Sequence, residues 1–208
     1  MPALKPLTLT GAHVRLEPLT IAHVPALLGA ATEDRETFGF SPVPDTREAM
    51  IAYVQDALEE QAAGRQLPFA MHSFAESRIV GATRFHELEP WRWPAGDPRR
   101  RRDRPDVTEI GATWLAASAQ RTACNTEAKL LMLSHAFEVW RVHRVSFRTD
   151  RRNDRSRSAI ERLGAQFDGI LRAERPGADG TIRDSAFYSI IAPEWPDVKA
   201  RLILRLES

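Results

Sequence analysis

The stretch from residue 107 to residue 140 constrains the fold more than any other, because its hydrophobic period changes partway along. "VTEIGATWLA" reads as a strand, while "QRTACNTEAKLLML" leads into a helix with Leu130, Leu133, Phe137 and Trp140 at core spacing. A loop feeding a helix N-terminus offers unpaired N–H groups and the positive end of the helix dipole, a setting suited to phosphate. Arg121, Ala123 and Asn125 can add donors, Arg121 adds charge, and the small Ala123 and Thr126 permit close approach. The loop has no glycine, however, so the same residues also read as a core helix capped by Asn125. Local physics alone favours the capped helix.

The surrounding chain supplies the context. Its 208 residues suffice for one well-cored domain, 1–208, and no stretch reads as a linker. "HVRLEPL" alternates as a strand, and Thr20 can cap a helix through "IAHVPALLGAA". Asp45 and Glu48 form a capping box for a second helix that places Met50, Tyr53, Val54, Ala57 and Leu58 on one face and stops at Gly64. "PFAMHSF" and "RIVGATRFHEL" are strands around a polar turn, and "EPWRWPAGDPRRRRDRPD" is a loop. After the central helix come the strand "RVSFRTD", the short helix "NDRSRSAIERLG" and a hairpin about "PGADG". "PEWPDVKARLILRL" closes the chain as a helix. The predicted order is β-α-α-β-β-β-α-β-α-β-β-α, a mixed α/β (α+β) domain.

Several function classes lack support. A formal net charge of +1 points to no polyanion or membrane partner, and no apolar run is long enough for a signal peptide or a membrane span. The single cysteine, Cys124, rules out an intramolecular disulfide, which fits a cytoplasmic protein. The six histidines show no zinc-ligand spacing, so no metal is expected. His72 and His86, on adjacent strands, can line an acceptor pocket. The arginine run at 99–104 reads as a solvated loop, as a surface for RNA or an acidic protein face, or as a steering patch for the acceptor. Trp91 and Trp93 beside it cover the site, meet a dimer partner or bury against the sheet.

A second constellation changes the weight of the first. In "RRNDRSRSAIERLGA", Asn153 and Ser156 stand three apart at a helix start and can converge on one ligand edge, with Arg155 and Arg157 available to a phosphate. Taken alone, this too reads as a cap with a solvated arginine face. Strand, loop, helix, strand and "NxxS" helix in this order resemble the GNAT superfamily of acyl-CoA-dependent N-acetyltransferases, and within it the RimJ/RimL-type branch. "EIGATWL" resembles that branch's fourth strand and "QRTACNTEA" its Q/R-x-x-G-x-G/A pyrophosphate loop. "NDRSRSAIERLGAQFDGILR" resembles its N-x-x-S helix and following strand, and "IRDSAFYSIIAPEW" its closing strand.

The resemblance implies a GNAT fold, a mixed and mostly antiparallel sheet flanked by helices, that binds acetyl-CoA between splayed fourth and fifth strands. Pantetheine would pair with backbone near Trp114 and Leu115. Pyrophosphate would meet the loop Gln120, Arg121, Thr122, Ala123, Cys124, Asn125 and Thr126. Asn153 would contact the pantetheine arm or bound water, Ser156 would protonate the departing thiolate, and Arg157 would take the 3′-phosphate. The acceptor would be a protein N-terminus or a small-molecule amine attacking the thioester directly, with Glu109 or Glu174 either accepting its proton or making a structural ion pair; at the position of the family's functional glutamate itself stands Arg175. Ala123 and Asn125 replace the family's glycines, which tolerate positive φ more readily, and Ile160 stands where many members carry a tyrosine acid. A non-catalytic or regulatory CoA-binding module is therefore the competing expectation, and a homodimer is left open. Cys124 reads as an inert packing cysteine or, at a helix N-terminus that can lower a thiol's pKa, as a thiol that CoA would protect from alkylation.

Overall fold

The computed structural model describes residues 4–101 and 103–207. Eight strands form one sheet in the order β1-β2-β3-β4-β5-β6-β8-β7. The strands are β1 (Leu9–Thr10), β2 (Val14–Pro18), β3 (Leu67–Ser73), β4 (Arg78–Glu89), β5 (Val107–Leu115), β6 (Arg144–Asp150), β7 (Gln166–Pro176) and β8 (Ile182–Ile191). The helices are α1 (Val24–Thr32), α2 (Arg47–Ala62), α3 (Ala123–Ser134), α4 (Asp154–Arg162) and α5 (Trp195–Glu207). The order matches expectation apart from β1, a two-residue strand at the sheet edge too short to show a period. Every neighbouring pair is antiparallel except β5 with β6, which run parallel. Parallel neighbours need a crossover, and α3 supplies it.

Adjacent positions on β4 assign the helices to faces, since successive side chains of a strand point opposite ways. Thr83 meets Met132 and Lys129 of α3, whereas the Arg84 guanidinium lies over the Tyr53 ring of α2, 4.8 Å from its centroid. One face thus carries α1 and α2. The other carries α3 and, stacked on its continuation through Phe137 and Trp195, α5. α4 lies on this second face too, where Arg157 reaches Tyr188 of β8, the register partner of the buried Phe147.

Three helix starts differ in detail from the sequence reading. The turn after Thr20 is a 3-10 turn over Ile21–His23, its entry tied by Thr20 N–H donating to His23 Nδ1 at 3.0 Å, and α1 begins only at Val24. Thr46, not Asp45, caps α2: its backbone is extended (φ −116°) and its hydroxyl accepts from the Ala49 N–H. Thr122, not Asn125, caps α3 and accepts from the Cys124 N–H at 3.2 Å. A cap must sit at the last non-helical residue; Asn125 is already inside the first turn. The face predicted for α2 holds, with Met50, Val54 and Ala57 buried. Beyond Ser134 the helix widens into a π-helical turn, His135–Trp140, that still buries Phe137 and Trp140.

The second turn of α3 is locked to the sheet edge by an unusual contact. The Glu127 carboxylate, 6% exposed, accepts the N–H groups of Ala12, His13 and Val14 at 2.8, 2.6 and 2.8 Å. It satisfies three donors of the β1–β2 turn, of which the Val14 N–H is buried and would otherwise lack a partner. Gly11 is required beside it, because a Cβ there would fall 2.2 Å from the Glu127 carboxyl carbon. Glu127→Ala is expected to cost about 3 kcal/mol, the order expected for orphaning buried donors. Gly11→Ala should destabilise through the clash. Urea unfolding midpoints check both, and Glu127→Gln, which keeps one acceptor oxygen, should fall between wild type and alanine.

Candidate functional site

β5 and β6 stay together for only three residue pairs, Val107 with Arg144, Thr108 with Val145 and Glu109 with Ser146. Past that point β6 follows β8 as far as Asp150 and β5 follows β4 as far as Leu115. The cause lies in β5. Opposite Arg84 stands Gly111 and opposite Ala82 stands Trp114, so Ala112 and Thr113 both face Thr83. This bulge, with Ala112 at φ 45°, bends β5 away from β6. A gap opens whose β5 wall is the backbone of 110–115. Trp114 and Leu115, predicted along this edge, are there: Trp114 is braced by Phe38 at 6.0 Å and by Tyr53, whose hydroxyl accepts from Nε1 at 3.3 Å.

Two helix N-termini face the open end. The loop before α3 turns at Arg121, whose φ of 62° is the left-handed step. The concern over missing glycines at Ala123 and Asn125 therefore dissolves. Both lie within the first helical turn, where right-handed backbone is needed and any residue fits. Helix geometry leaves their N–H groups without intrahelical acceptors, and Thr122, Cys124 and Thr126 complete the same turn. Gln120 is fixed on both sides, donating from Nε2 to the Leu115 carbonyl at 3.0 Å and accepting at Oε1 from Arg155 Nη2 at 2.6 Å. Arg155 also donates to the Thr37 carbonyl at 3.1 Å, tying the α1–α2 connection to both helix starts.

At the second N-terminus Asn153 is the cap of α4, its Oδ1 accepting the Ser156 N–H at 3.0 Å. Ser156 thus begins α4 next to the end of β6. Arg157, expected at a phosphate, turns instead to the sheet: its Nε donates to Tyr188 Oη at 3.0 Å and its Nη1 to the Arg151 carbonyl at 3.3 Å. The arginine that α4 sends to the loop is Arg155. A helix turn separates the directions of positions two apart by about 200°, so only one of the two can face the gap.

Both carboxylates predicted from the sequence meet on the face carrying α1 and α2, which those helices cover only as far as β5. Arg148 of β6 joins them: Nε is 3.0 Å from Glu109, Nη1 3.0 Å from Glu174 and Nη2 3.1 Å from the exposed Glu87. Glu174 also takes Arg175, at 2.6 Å, and the Ser185 hydroxyl at 3.0 Å. Desolvation pushes the Glu174 pKa up, but the hydrogen bonds from Arg175 and Ser185 and the arginine charges outweigh it and hold the carboxyl below its ordinary range. His86 Nε2 lies 3.2 Å from Glu109, and only a glycine at 111 leaves room for its ring, a Cβ there falling 2.5 Å from that nitrogen. A cleft of about 560 Å³ overlies this group, with Glu87, Glu109, Arg144, Arg148, Asp168 and Phe187 among its walls.

The structure separates residues that the sequence had placed together. His72 pairs with Ile79 beside the β3–β4 turn, and Leu67 with Phe85 at the other end. His72 and His86 therefore stand at opposite ends of the hairpin and share no pocket. Trp91 and Trp93 bury against neither the gap nor the sheet face. They clasp His143, Trp91 stacked on it at 5.1 Å with 43% of its surface exposed, and Arg99 sits 3.5 Å over the Trp93 ring. Arg99 is also paired with Asp97, and Arg104 reaches the Val139 carbonyl. Arg102 and the side chain of Arg101 lie outside the described residues. Cys124 is not the accessible thiol that its helix position suggested. It is 3% exposed, and burial, with lesser contributions from Glu76 and Glu127, pushes it up to about 12. Among the described residues no group of three His, Cys, Asp or Glu side chains is arranged to hold a metal ion, and no helix is long and apolar enough to cross a membrane.

This arrangement has known counterparts. The family model for the GNAT acetyltransferase domain matches residues 13–166. A structure assigned as an acetyltransferase from T. thermophilus is similar at 39% identity and TM-score 0.80, with 98% of each chain covered. A GCN5-related N-acetyltransferase from Brucella melitensis is similar at 28% identity and TM-score 0.82, covering 99% of this chain and 87% of that one. RimJ of Mycobacterium smegmatis, solved with CoA-disulfide, shares the fold at 21% identity and TM-score 0.77, covering 96% and 95%. No curated protein matches the sequence.

The buried ion cluster makes two expectations measurable. Arg148→Met leaves Glu109 and Glu174 buried without their shared cation and should cost about 3–5 kcal/mol at neutral pH. The deficit should narrow on acidification, because protonation relieves unpaired carboxylates while removing the wild type's advantage; urea unfolding as a function of pH reads both. Cys124 should resist iodoacetamide in the native protein at pH 8, with and without CoA, and react fully once unfolded, as followed by intact mass.

Proposed function

The chain belongs to the GNAT acetyltransferase family, and from that premise we propose that it transfers the acetyl group of acetyl-CoA directly to a primary amine, on a protein N-terminus or a small molecule, within a ternary complex. The observation that carries this reading is the divergence of β5 from β6 beyond Glu109 and Ser146, with the helix starts at Thr122 and Asn153 facing the opening. Unpaired strand backbone suits an amide-bearing arm such as pantetheine, and a helix N-terminus suits pyrophosphate. In this placement the arm runs beside Trp114 and Leu115. The pyrophosphate meets the N–H groups of the 121–126 turn, positioned by Gln120, and Arg155 replaces Arg157 as the nearby guanidinium. Asn153 shapes the start of α4, and the Ser156 hydroxyl hydrogen-bonds the departing sulfur.

The acceptor enters over the polar cleft on the opposite side of β5. A protonated amine cannot attack, so a carboxylate there must take its proton, directly or through water. Of the two candidates Glu109 is the better placed, on β5 itself at the point where the gap begins. Glu174 is held below its ordinary range by Arg175 and Ser185, which makes it a poor base. Glu109 and its neighbour Glu87 favour a cationic acceptor, and Arg148 keeps the two carboxylates from repelling each other.

The test combines calorimetric titration with acetyl-CoA and thiol release across a panel of amines and N-terminal peptides. Binding and turnover with at least one acceptor are expected. Glu109→Gln should leave acetyl-CoA binding intact and lower kcat by about 10²-fold or more, whereas Glu174→Gln should have the smaller effect. Binding without turnover over a broad panel would favour a regulatory CoA module. No binding of any acyl-CoA would overturn the reading.

A further inference from the structure

The bulge in β5 has a polar underside on the face of α3. The hydroxyls of Thr83 and Thr113 lie 2.7 Å apart. Lys129 reaches both from α3, its Nζ 2.5 Å from Thr113 Oγ1 and 3.4 Å from Thr83 Oγ1. The lysine is 5% exposed, and among the described residues it forms no salt bridge. The groups facing it are Thr113 from β5, Thr83 from β4 and, bonded to Thr83 from the next turn of α3, Met132. The nearest carboxylate along α3, Glu127, has both oxygens on the β1–β2 turn. Burial alone, with no charged neighbour contributing, lowers the Lys129 pKa to about 7.

A lone lysine is a costly way to fill a core position that methionine would satisfy. Thr113, by contrast, is only half-buried, and the preceding Ala112 is exposed in the middle of an eight-stranded sheet. Both owe their exposure to the gap, since they lie past the last β5–β6 pair. One hydroxyl thus connects a buried amine to the wall of the slot in which the thioester would lie.

We propose that Lys129, acting through the Thr113 hydroxyl, is the proton source for the sulfur that leaves in acyl transfer, an assignment that rests on the acetyl-CoA reading above. The attacking nitrogen forms its bond to the carbonyl carbon as the C–S bond breaks and its electron pair goes to sulfur. The Thr113 hydroxyl proton passes to that sulfur, and a Lys129 ammonium proton replaces it on Thr113. The proton shed by the acylated nitrogen leaves on the Glu109 side for solvent, and Lys129 regains its own from solvent before the next turnover. The two ends of this exchange sit on opposite faces of β5. An ionised carboxylate can only accept, and the lysine can donate. A group titrating near neutrality is matched to such a transfer. Lys129 itself does not touch the thioester, so it positions and supplies while Thr113 makes the contact. The Ser156 hydroxyl, on the other wall, orients the sulfur but has no comparable proton behind it.

The chain has three lysines, Lys5, Lys129 and Lys199, so a carbon-13 lysine NMR titration of the free protein resolves Lys129 directly. One resonance should titrate near 7 and disappear in Lys129→Met. Acetyl-CoA turnover with an accepted amine is then followed from pH 6 to 10. Wild-type kcat should fall on the alkaline side as the donor loses its proton. Lys129→Met and Thr113→Val should bind acetyl-CoA as wild type does, lose about 10²-fold in kcat at pH 7 and lose the alkaline fall. Thr113→Ser, which keeps the hydroxyl, should retain both rate and profile. A folded Lys129→Met with the wild-type pH profile, Thr113→Val indistinguishable from wild type, or a Lys129 that titrates like an exposed lysine would each overturn this inference alone. Absence of wild-type acetyl-CoA turnover would overturn the proposed function and this inference with it.

Discussion

β5 hydrogen-bonds β4 in the antiparallel sense along most of its length, yet holds β6 in the parallel sense over three residue pairs only, and the rest of the site hangs on that mismatch. A strand inside a sheet ordinarily has both backbone edges filled. Here one edge is released by a bulge that places two residues opposite Thr83 and turns Ala112 to positive φ. The crossover helix that parallel pairing demands must then start where the strand has bent away. The α3 N-terminus and the unpaired edge consequently arrive at the same place. α4 follows β6 in the same way, so a second helix start closes the mouth of the gap.

Charge is distributed with equal asymmetry. On the face of α1 and α2, one arginine is shared by Glu87, Glu109 and Glu174, a cluster whose members are stable only together. On the face of α3, one lysine has two hydroxyls and, among the described residues, no carboxylate. The first arrangement holds the Glu174 carboxyl below its ordinary range, and the second keeps an amine close to losing its proton. Between them lies a single strand. In the proposed reaction this separation across one strand lets a proton acceptor and a proton donor act on the same bond without neutralising each other.

Much of this was legible in the chain, for reasons that can be traced residue by residue. The periods of "HVRLEPL", "RVSFRTD" and the α2 segment placed their elements because burial on one face imposes a repeat of two or of 3.6. The order of the two N-terminal motifs identified the gap region although neither motif was decisive alone. Caps were less legible: Thr46 and Thr122 hold the positions given to Asp45 and Asn125, since Asp, Asn, Ser and Thr all serve and only backbone dihedrals show which one ends the extended segment. The pairing of His72 with His86 failed because adjacency of strands says nothing of register. Arg155, rather than Arg157, reaches the loop before α3, because the phase of a short helix against the sheet is a property of the packed molecule.

Sequence by itself determined the succession of the longer elements, that a helix follows each of β5 and β6, and the family, since these rest on local period and motif order. Tertiary structure alone decided where charge is compensated. Lys129 reads in sequence as one more polar residue of a helix, and Glu127 as another. Only when α3 lies across the bulge does one find three backbone donors and the other two hydroxyls with no anion. The electrostatic character of a side chain depends on what shares its low-dielectric surroundings, and those neighbours come from strands and a turn 16 to 115 residues away.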